Sequence, residues 1–474
     1  MSAKIKILFC SSEVVPFAKT GGLADVAGTL PLALEELGVE TRIVMPHYAA
    51  IDSERFKLKR LDNQTSVAKL GKKVRVYFIE NADYFNRSGL YQDKGVDYAD
   101  NLPRFAYYCV QTLELIKRIK FKPDVIHCND WQTALIPIYL KTRYNHDPFY
   151  KKIKTVFTIH NLGYQGLCPK EQFPATGLNP DLFTVDGVEF YGKVNLLKGG
   201  LLFADKITTV SPTYAKEIQT PEFGCGLEGV LQKRRHDTSG ILNGIDYQEW
   251  DPAKNESLVK NYSIDDPGSK YANKLDLQKI SGLKQNIDVP LLGMITRLAD
   301  QKGLDIFCEA IDKICQLPLQ FILLGTGDQK YHSLFEKVKK KYKNTSINLK
   351  FDAVLAYKIY AGSDMFLMPS YYEPCGLGQL ISLKFGTIPV VRKTGGLADT
   401  VTDYNVSGGA PGNGFVFTEY KSQKLFKAVK TALDVYADKK AWRDLVAVAM
   451  NCNFAWAESA KKYVELYKSL PIEK

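Results

Sequence analysis

Short apolar segments alternate with amphipathic stretches along most of the chain. Helical periodicity of apolar positions is clear at Leu304–Ile314, Tyr331–Tyr342 and Lys424–Tyr436. The apolar segments have the length and composition of buried strands, at Ile5–Cys10, Thr41–Met45, Asp124–His127, Thr155–His160, Lys206–Val210, Leu291–Thr296, Gln320–Leu324, Asp364–Met368 and Ile388–Arg392. Strands that alternate with helices predict an α/β fold with parallel sheets.

The series of strands stops and then restarts, which indicates two domains. Turn signals crowd the gap between Ile241 and Pro290, beginning with Asn243-Gly244. We therefore expect two Rossmann-like, doubly wound domains, at residues 1–244 and 245–454. The last helical pattern, Ala455–Leu470, has no strand after it, and we expect residues 455–474 to dock back on the N-terminal domain.

Composition narrows the class of protein. The 474 residues are 45% hydrophobic and 24% charged, which is typical of a globular chain that fills two domains. No run approaches the ~20 apolar residues of a membrane span, and the apolar run at the N-terminus is too short for a signal peptide. The nine cysteines are dispersed without a CxxC pair, so we expect a reducing cytoplasm, no disulfide framework and no metal site.

The net charge of +11 favours anionic partners without naming them. Clusters of basic residues occur, but no nucleic-acid-binding module accompanies them, so a nucleic-acid partner is not expected. A membrane partner is not expected either.

One heptapeptide occurs twice. Lys19–Asp25 (KTGGLAD) recurs letter for letter as Lys393–Asp399, each time between a predicted strand and a predicted helix. Paired glycines let backbone amides approach a ligand, and the following helix offers its positive end to an anion. The repeat is either a shared structural turn or a pair of loops that face one cleft.

Polar residues follow two strands of the first domain. His127 and His160 each end a predicted strand, where a histidine is either a structural residue or a group that reaches substrate. His160-Asn161 is the better candidate, because it precedes a glycine-containing loop. Asp130 and Trp131 could instead present a carboxylate and an aromatic face to a sugar.

The second domain offers cations and a carboxylate after its strands. Arg297 and Lys302 could clamp a phosphate or diphosphate, or simply form a solvated loop. Glu373 lies in a loop that opens a helix, where it either caps that helix or contacts substrate. Cys375 is more typical of a structural residue than of a nucleophile.

Missing patterns exclude several classes. The chain contains no Asp-x-Asp, so a diphosphate leaving group would have to be neutralised without a metal. The G-x-G-x-x-G fingerprint is missing after the first strand, and the P-loop pattern is missing altogether. These absences count against a dinucleotide-dependent dehydrogenase and against an NTPase.

Taken together, the motifs resemble those of the bacterial glycogen synthases and plant starch synthases, over essentially the whole chain. The resemblance rests on KTGGLAD at 19–25 and 393–399, HCNDWQ at 127–132, TIHNLGYQG at 158–166, GCGLEGVL at 224–231, LNGIDYQEWDP at 242–252, RLADQKGLD at 297–305 and EPCGL at 373–377. It implies the GT-B architecture with a deep interdomain cleft. It also implies retaining transfer of glucose from ADP-glucose to the non-reducing-end 4-hydroxyl of an α-1,4-glucan, without a metal or other cofactor.

The resemblance also implies roles for individual residues. His160 would lie against the transferred glucose, Arg297 and Lys302 would neutralise the diphosphate, and Glu373 would contact the glucosyl ring. Phe351 would stack on adenine. The other residues expected to bind substrate are Glu13, Lys19, Gly21, Gly22, Asp25, Asp130, Trp131, Asn161, Asn243, Cys375, Gly376, Leu377, Thr394, Gly395 and Gly396.

Some positions depart from the family pattern, and other functions stay open. Ile381 stands where related transferases often have a second glutamate, and Gly378 where many have a threonine. The alternatives are a GT-B transferase that uses UDP-glucose, a non-catalytic glucan-binding relative, and a sugar-nucleotide epimerase. The sequence shows no convincing carboxylate for a covalent intermediate, which favours front-face attack with the diphosphate as leaving group and base.

Overall fold

The computed structural model describes residues 4–93, 95–405 and 411–472. The strands are β1 (Lys6–Cys10), β2 (Glu40–Pro46), β3 (Lys59–Asp62), β4 (Thr65–Leu70), β5 (Val74–Ile79), β6 (Gln92–Asp93), β7 (Val96–Asp97), β8 (Val125–Asn129), β9 (Lys154–Ile159), β10 (Leu167–Pro169), β11 (Glu189–Phe190), β12 (Lys193–Asn195), β13 (Lys206–Thr209), β14 (Thr238–Gly240), β15 (Leu291–Ile295), β16 (Gln320–Leu324), β17 (Thr345–Asn348), β18 (Met365–Met368), β19 (Ile388–Arg392) and β20 (Phe415–Phe417).

The helices fall between these strands, as the apolar pattern predicts. They are α1 (Gly22–Glu36), α2 (Ala82–Phe85), α3 (Asn101–Arg118), α4 (Leu135–Lys141), α5 (Leu196–Phe203), α6 (Pro212–Glu217), α7 (Glu228–Lys233), α8 (Lys270–Ile280), α9 (Leu304–Cys315), α10 (Gln329–Lys341), α11 (Ala353–Gly362), α12 (Gly378–Lys384), α13 (Gly395–Thr400), α14 (Ser422–Ala437), α15 (Lys439–Met450) and α16 (Trp456–Ser469).

The chain divides into two compact units. One contains Met1–Asn243 together with Trp456–Lys474, and the other contains Gly244–Ala455. The first unit therefore includes the C-terminal helix α16, which packs against α1.

A nine-stranded sheet forms the centre of the first unit, in the order β14-β13-β9-β8-β1-β2-β5-β4-β3. The strands from β14 to β5 pair in parallel, and β4 and β3 add an antiparallel hairpin at one edge. Every residue of β8 is buried, as expected for a strand covered by helices on both faces. The order of the strands reverses at β1, which places a topological switch point there.

A six-stranded sheet forms the centre of the second unit, in the order β17-β16-β15-β18-β19-β20. All its strand pairs are parallel, and its switch point lies between β15 and β18. The predicted α/β class is therefore confirmed, and the predicted strands and helices end within two residues of the observed ones. The remaining strands of the two large sheets, β3, β4, β5, β14, β17 and β20, were not predicted, and neither were the short strands β6, β7, β10, β11 and β12.

His127 is a structural residue of the first unit. Its Nδ1 lies 2.7 Å from Tyr467 Oη of α16, and its Nε2 lies 2.6 Å from Thr158 Oγ1 of β9. Burial, with a smaller contribution from the nearby His160, lowers the pKa of His127 to about 3. The neutral ring thus bridges α16 to the middle of the sheet.

We expect His127 to make stability depend on pH. Because its pKa is lower in the folded protein than the ordinary 6.5, the folded state loses stability as pH falls from that value toward 3. Each such histidine contributes a slope of about 1.4 kcal/mol per pH unit below about pH 5.5. The free energy of unfolding of the first unit is measured with urea at several pH values between about 5.5 and 4. In His127→Gln, its change per pH unit should be smaller than in the parent protein by this amount.

The matched control is His236→Gln, because His236 is exposed. His236→Gln should show the same change of unfolding free energy with pH as the parent protein. An unchanged slope in His127→Gln would show that this ring is not held neutral by the fold.

Candidate functional site

Three loops of the first unit follow the carboxyl ends of β1, β8 and β9, beside its switch point. This is where ligands bind in open α/β sheets. The loops carry Glu13, Asp130 and His160, which are all buried. The carboxylates of Glu13 and Asp130 are close enough for the charge of Glu13 to help raise the pKa of Asp130.

Glu13 holds the first heptapeptide in place. Its Oε1 accepts hydrogen bonds from Thr20 Oγ1 at 2.6 Å and Tyr91 Oη at 2.8 Å. Its Oε2 accepts from the backbone N–H of Thr20 and, at 3.1 Å, of Gly21. The carboxylate therefore has four protein donors, and it positions the loop of the first heptapeptide. Tyr91 was not predicted, because it stands in no motif, and Thr20 was not singled out within the heptapeptide because its partner Glu13 lies outside that motif.

The first heptapeptide leaves its glycines open to solvent. Gly21 precedes α1, Gly22 is the first residue of that helix, and a Cβ on Gly21 would meet nothing within 4 Å. Lys19 Nζ lies 2.6 Å from Asp25 Oδ1. Burial raises the pKa of Asp25, and the charge of Lys19 offsets part of that rise. Asp25 thus holds Lys19 at the exposed start of the helix.

His160 is neutral and has a fixed orientation. Its backbone N–H donates to Asp130 Oδ1 at 2.7 Å, and its Nε2 lies 2.9 Å from Asn129 Oδ1. Asn129 Nδ2 donates to the carbonyl of Cys10, so Asn129 Oδ1 is the acceptor and His160 Nε2 carries the proton. Burial lowers the pKa of His160 to about 3 and raises the pKa of Asp130 to about 7.

Trp131 and Asn161 support the same loops. The Trp131 ring lies edge-on to Phe105, with centroids 4.9 Å apart, and a Cβ on Gly166 would lie 2.7 Å from it. Asn161 Oδ1 accepts from Gly163 N at 3.0 Å and closes the turn after His160. Trp131 is buried, with 9% of its surface exposed, and its contact with a sugar stays a prediction.

Asn243 is buried, and its amide oxygen has no hydrogen-bond partner among the described residues. A buried acceptor without a protein donor is typical of a group that bonds to water or a ligand. The place of Asn243 among the substrate-binding residues stays a prediction.

A cavity of about 210 Å³ lies at the switch point of the second unit. Thr296 and Arg297 follow β15, and Ser370 and Glu373 follow β18. The other residues that line the cavity are Met294, Ile295, Lys302, Tyr360, Leu367, Met368, Pro369, Leu377 and Gly378. The structure therefore brings together four of the predicted residues, namely Arg297, Lys302, Glu373 and Leu377.

Lys302 and Glu373 form an ion pair in this cavity. Lys302 Nζ lies 2.7 and 2.9 Å from the two carboxylate oxygens of Glu373, and Ser370 Oγ donates to the same carboxylate at 2.8 Å. Gly303, with φ of 69°, lets the Lys302 turn pack on the end of β18, since a Cβ there would lie 2.0 Å from Pro369 O. Arg297 is exposed at the rim, where its guanidinium donates to Gln301 Oε1 at 3.1 Å.

The Thr-Gly-Gly segment of the second heptapeptide is buried, whereas that of the first is exposed. Thr394, Gly395 and Gly396 lie against the Glu373–Cys375 segment, and Gly396 N donates to Glu373 O at 3.0 Å. A Cβ on Gly395 would lie 1.9 Å from Glu373 O, and one on Gly396 would lie 2.0 Å from Cys375 O. These glycines are required by packing against the Glu373 loop. The same heptapeptide sequence therefore has a different structural environment in each unit.

Three further predicted residues of the second unit, Phe351, Cys375 and Gly376, do not line the cavity. Phe351 follows the edge strand β17 and is 87% exposed. Cys375 and Gly376 lie in the loop before α12, where Gly376 has φ of 75°. In the segments that the structure describes, no three His, Cys, Asp or Glu side chains are grouped so that they could hold a metal ion.

We expect a glycine-to-alanine substitution to have a large effect on stability in the second heptapeptide and a small effect in the first. Gly396→Ala should destabilise the second unit by about 2 kcal/mol or more, because its Cβ collides with backbone that cannot move without displacing Glu373. Gly21→Ala should change the free energy of unfolding by no more than about 0.5 kcal/mol, because the space is open. Denaturant unfolding of both variants measures the difference. Equal effects would contradict the steric explanation.

Comparison with known proteins covers nearly the whole chain. Residues 6–233 match the family described as starch synthase catalytic domain, and residues 279–444 match glycosyl transferases group 1. The glycogen synthase of Geotalea uraniireducens is 48% identical, over 98% of each chain. That of Thermotoga maritima is 47% identical, again over 98% of each chain.

Solved structures give the same result. The catalytic domain of starch synthase IV from Arabidopsis thaliana, bound to ADP and acarbose, matches with a TM-score of 0.91 and 34% identity, over 98% of this chain and 99% of that one. Sucrose-phosphate synthase from Thermosynechococcus elongatus matches with a TM-score of 0.60 and 17% identity over 98% of both chains, a likeness of fold. The GT-B fold class is thereby confirmed.

Of the helices that the structure describes, none combines the length and apolarity of a membrane span.

The family assignment rests on the comparisons and agrees with the site. The second unit has paired charges at its switch point, and the first unit has a buried neutral histidine. Two relatives are nearly half identical to this chain in sequence. The chain belongs to the family of glycogen and starch synthases and is a glycosyltransferase.

Proposed function

We propose that this protein transfers glucose from ADP-glucose to the non-reducing-end 4-hydroxyl of an α-1,4-glucan, with retained configuration and without a metal. The Lys302–Glu373 pair in the cavity at the switch point of the second unit is the observation that carries the proposal. A nucleotide sugar needs a cation for its diphosphate and an acceptor for its sugar hydroxyls, and this pair supplies both within 2.7 Å of each other.

The two cations of the cavity suit a diphosphate. Arg297 can bind two phosphate oxygens with its planar guanidinium, and Lys302 adds a compact charge. Glu373 keeps Lys302 Nζ in place before the substrate arrives, so little reorganisation is needed as negative charge grows on the leaving group. These charges replace the metal that other nucleotide-sugar transferases hold with Asp-x-Asp.

His160 acts as a neutral group. With a pKa of about 3 and its Nε2 proton donated to Asn129, it offers no proton to the leaving group at neutral pH. Its Nδ1 has an electron pair that can accept a hydrogen bond from a sugar hydroxyl. An uncharged ring also avoids repelling the positive charge that develops on the glucosyl carbon.

The proton of the attacking 4-hydroxyl goes to the departing diphosphate in this mechanism. The bond from the anomeric carbon to the phosphate oxygen breaks, and the bond to the acceptor oxygen forms on the same face.

The partners are thus a nucleotide-sugar donor and a glucan such as glycogen, starch or a malto-oligosaccharide. Starch synthase IV, bound to ADP and acarbose, supports both assignments. The nine free cysteines support a reducing, cytoplasmic location.

One assay tests the donor and the reaction. The purified protein is incubated with labelled ADP-glucose or UDP-glucose and glycogen, and the label in precipitated polymer is counted. We expect incorporation chiefly from ADP-glucose, unchanged by a chelator. Preference for UDP-glucose would make it a different GT-B transferase, and no incorporation from either would favour a non-catalytic glucan-binding protein.

Lys302→Ala should lower kcat by roughly 100-fold or more and leave the KM for glycogen nearly unchanged, because its charge is needed most as the diphosphate departs. Steady-state kinetics at saturating ADP-glucose measure both constants. Lys341→Ala is the matched control, since Lys341 forms an exposed pair with Asp312 at 2.8 Å. A kcat like that of the parent protein would remove Lys302 from this role.

The stereochemical course and the absence of a covalent intermediate form a separate test. Proton NMR of the product should show an α-linkage, and mass spectrometry of protein quenched during turnover should show no added glucosyl mass. A glucosyl group on an aspartate or glutamate would overturn front-face attack.

A further inference from the structure

A second cavity lies in the second unit and shares no lining residue with the first. It has a volume of about 110 Å³ and opens between α8 and α15. Its lining residues are Ile264, Pro267, Gly268, Lys270, Tyr271, Lys274, Gly362, Asp364, Tyr436, Lys439, Trp442, Arg443, Val446, Ala447 and Met450. None of them was marked by a motif of the sequence.

The interior wall of this cavity is apolar and aromatic. Trp442, Val446 and Met450 are almost fully buried on one face of α15. The Tyr436 ring meets Trp442 edge-on, with centroids 5.1 Å apart. Such a surface takes up a flat or branched apolar group, because displacing water from it is favourable.

The charges around the cavity are strongly unequal. Four of its lining side chains are basic, namely Lys270, Lys274, Lys439 and Arg443, and one, Asp364, is acidic. Lys274 Nζ lies 2.7 Å from Asp364 Oδ2, so the single carboxylate is already paired. The lining therefore has a surplus of positive charge.

Lys270 is buried with dipoles as its partners. Its Nζ donates to the carbonyls of Ala361 and Phe385 and to Thr387 Oγ1, at 2.7 to 3.0 Å. Within the described residues, no carboxylate comes to ion-pair distance of it. Burial lowers the pKa of Lys270 to about 7, so its charge adds to the positive potential of the cavity below that pH, and the cations at the mouth carry the charge at higher pH.

The cations at the mouth, Lys439 and Arg443, are exposed. Lys439 Nζ lies 3.8 Å above the Tyr436 ring centroid. Arg443 Nε donates to Lys439 O at 3.2 Å, which leaves its two terminal nitrogens for another acceptor. In the part of the chain that the structure describes, neither side chain forms an ion pair.

We propose that this cavity is a second ligand site, for a compact organic anion. Its apolar body lies on Trp442, Val446 and Met450, and its acid group is bound at the mouth by Lys439 and Arg443. An apolar cavity of roughly 150 Å³ accepts a benzene ring, and this one, open at its mouth, is of that order. The site is independent of glucosyl transfer, because none of its residues contributes to the cavity at the switch point.

Binding of small probes tests the proposal without any measurement of activity. Benzoate and phenyl phosphate are titrated into the full-length protein by calorimetry, beside benzyl alcohol, which lacks the charge, and acetate, which lacks the ring. We expect a Kd of about 1 mM for at least one of the two aromatic anions, with binding at least about tenfold weaker for benzyl alcohol and acetate. Comparison of benzoate with phenyl phosphate shows which acid the mouth prefers.

Variants locate the binding. Arg443→Gln should weaken binding of the aromatic anion about tenfold, which is the loss of one charge-assisted contact. Ala447→Phe should abolish it by filling the mouth, since Ala447 is an exposed position on the cavity lining. Lys341→Gln, a neutralised lysine elsewhere on the unit, should bind as the parent does.

Two results would overturn the proposal. One is binding of neither aromatic anion to the parent protein. The other is an affinity for the aromatic anions that is equal in the parent and both cavity variants, with melting curves that show the variants folded. Either result leaves the proposed glucosyltransferase activity untouched.

Discussion

The buried carboxylate of Glu373 needs a matching cation, and this requirement organises the second unit around its switch point. A carboxylate that is almost fully buried is costly unless it is paired and hydrogen-bonded, and Lys302 and Ser370 supply those bonds. The pair joins the turn after β15 to the loop after β18. The close backbone contacts at Gly303 and Gly396 then fix how near the two segments come. The positions of the Lys302 and Glu373 charges are thus set by the fit of the backbone segments that carry them.

The first unit uses hydrogen bonds to buried polar groups for the same purpose. Glu13 gathers the heptapeptide loop, and Asp130 and Asn129 orient His160 from two sides. Each of these groups satisfies another buried group, so the network is rigid without a ligand. The histidine stays uncharged because water is kept away from it. His160 is therefore a neutral ring in a fixed orientation.

Much of this could be predicted from the sequence, and the exceptions have physical reasons. The parallel strands and the candidates that follow them were found because apolar runs and strand-end motifs are local signals. The pairing of Lys302 with Glu373 was not found, because it depends on two strands being neighbours in space. Tyr91 was missed because its partner Glu13 lies 78 residues away. The sequence could not predict that Gly21 is exposed and Gly396 is buried, because the two heptapeptides are identical and the difference comes from the segments that pack on them.

The bond between His127 and Tyr467 joins residues 340 positions apart. At roughly 5–20 residues per second, a ribosome takes tens of seconds to make the chain between them. During that time the whole second unit is made, while the first still lacks the helix that covers its buried histidine. The first unit is therefore begun first and completed last. The N-terminal half is the last to be finished, and a nascent chain that stops before α16 presents an open sheet face to whatever binds exposed apolar surface in the cell.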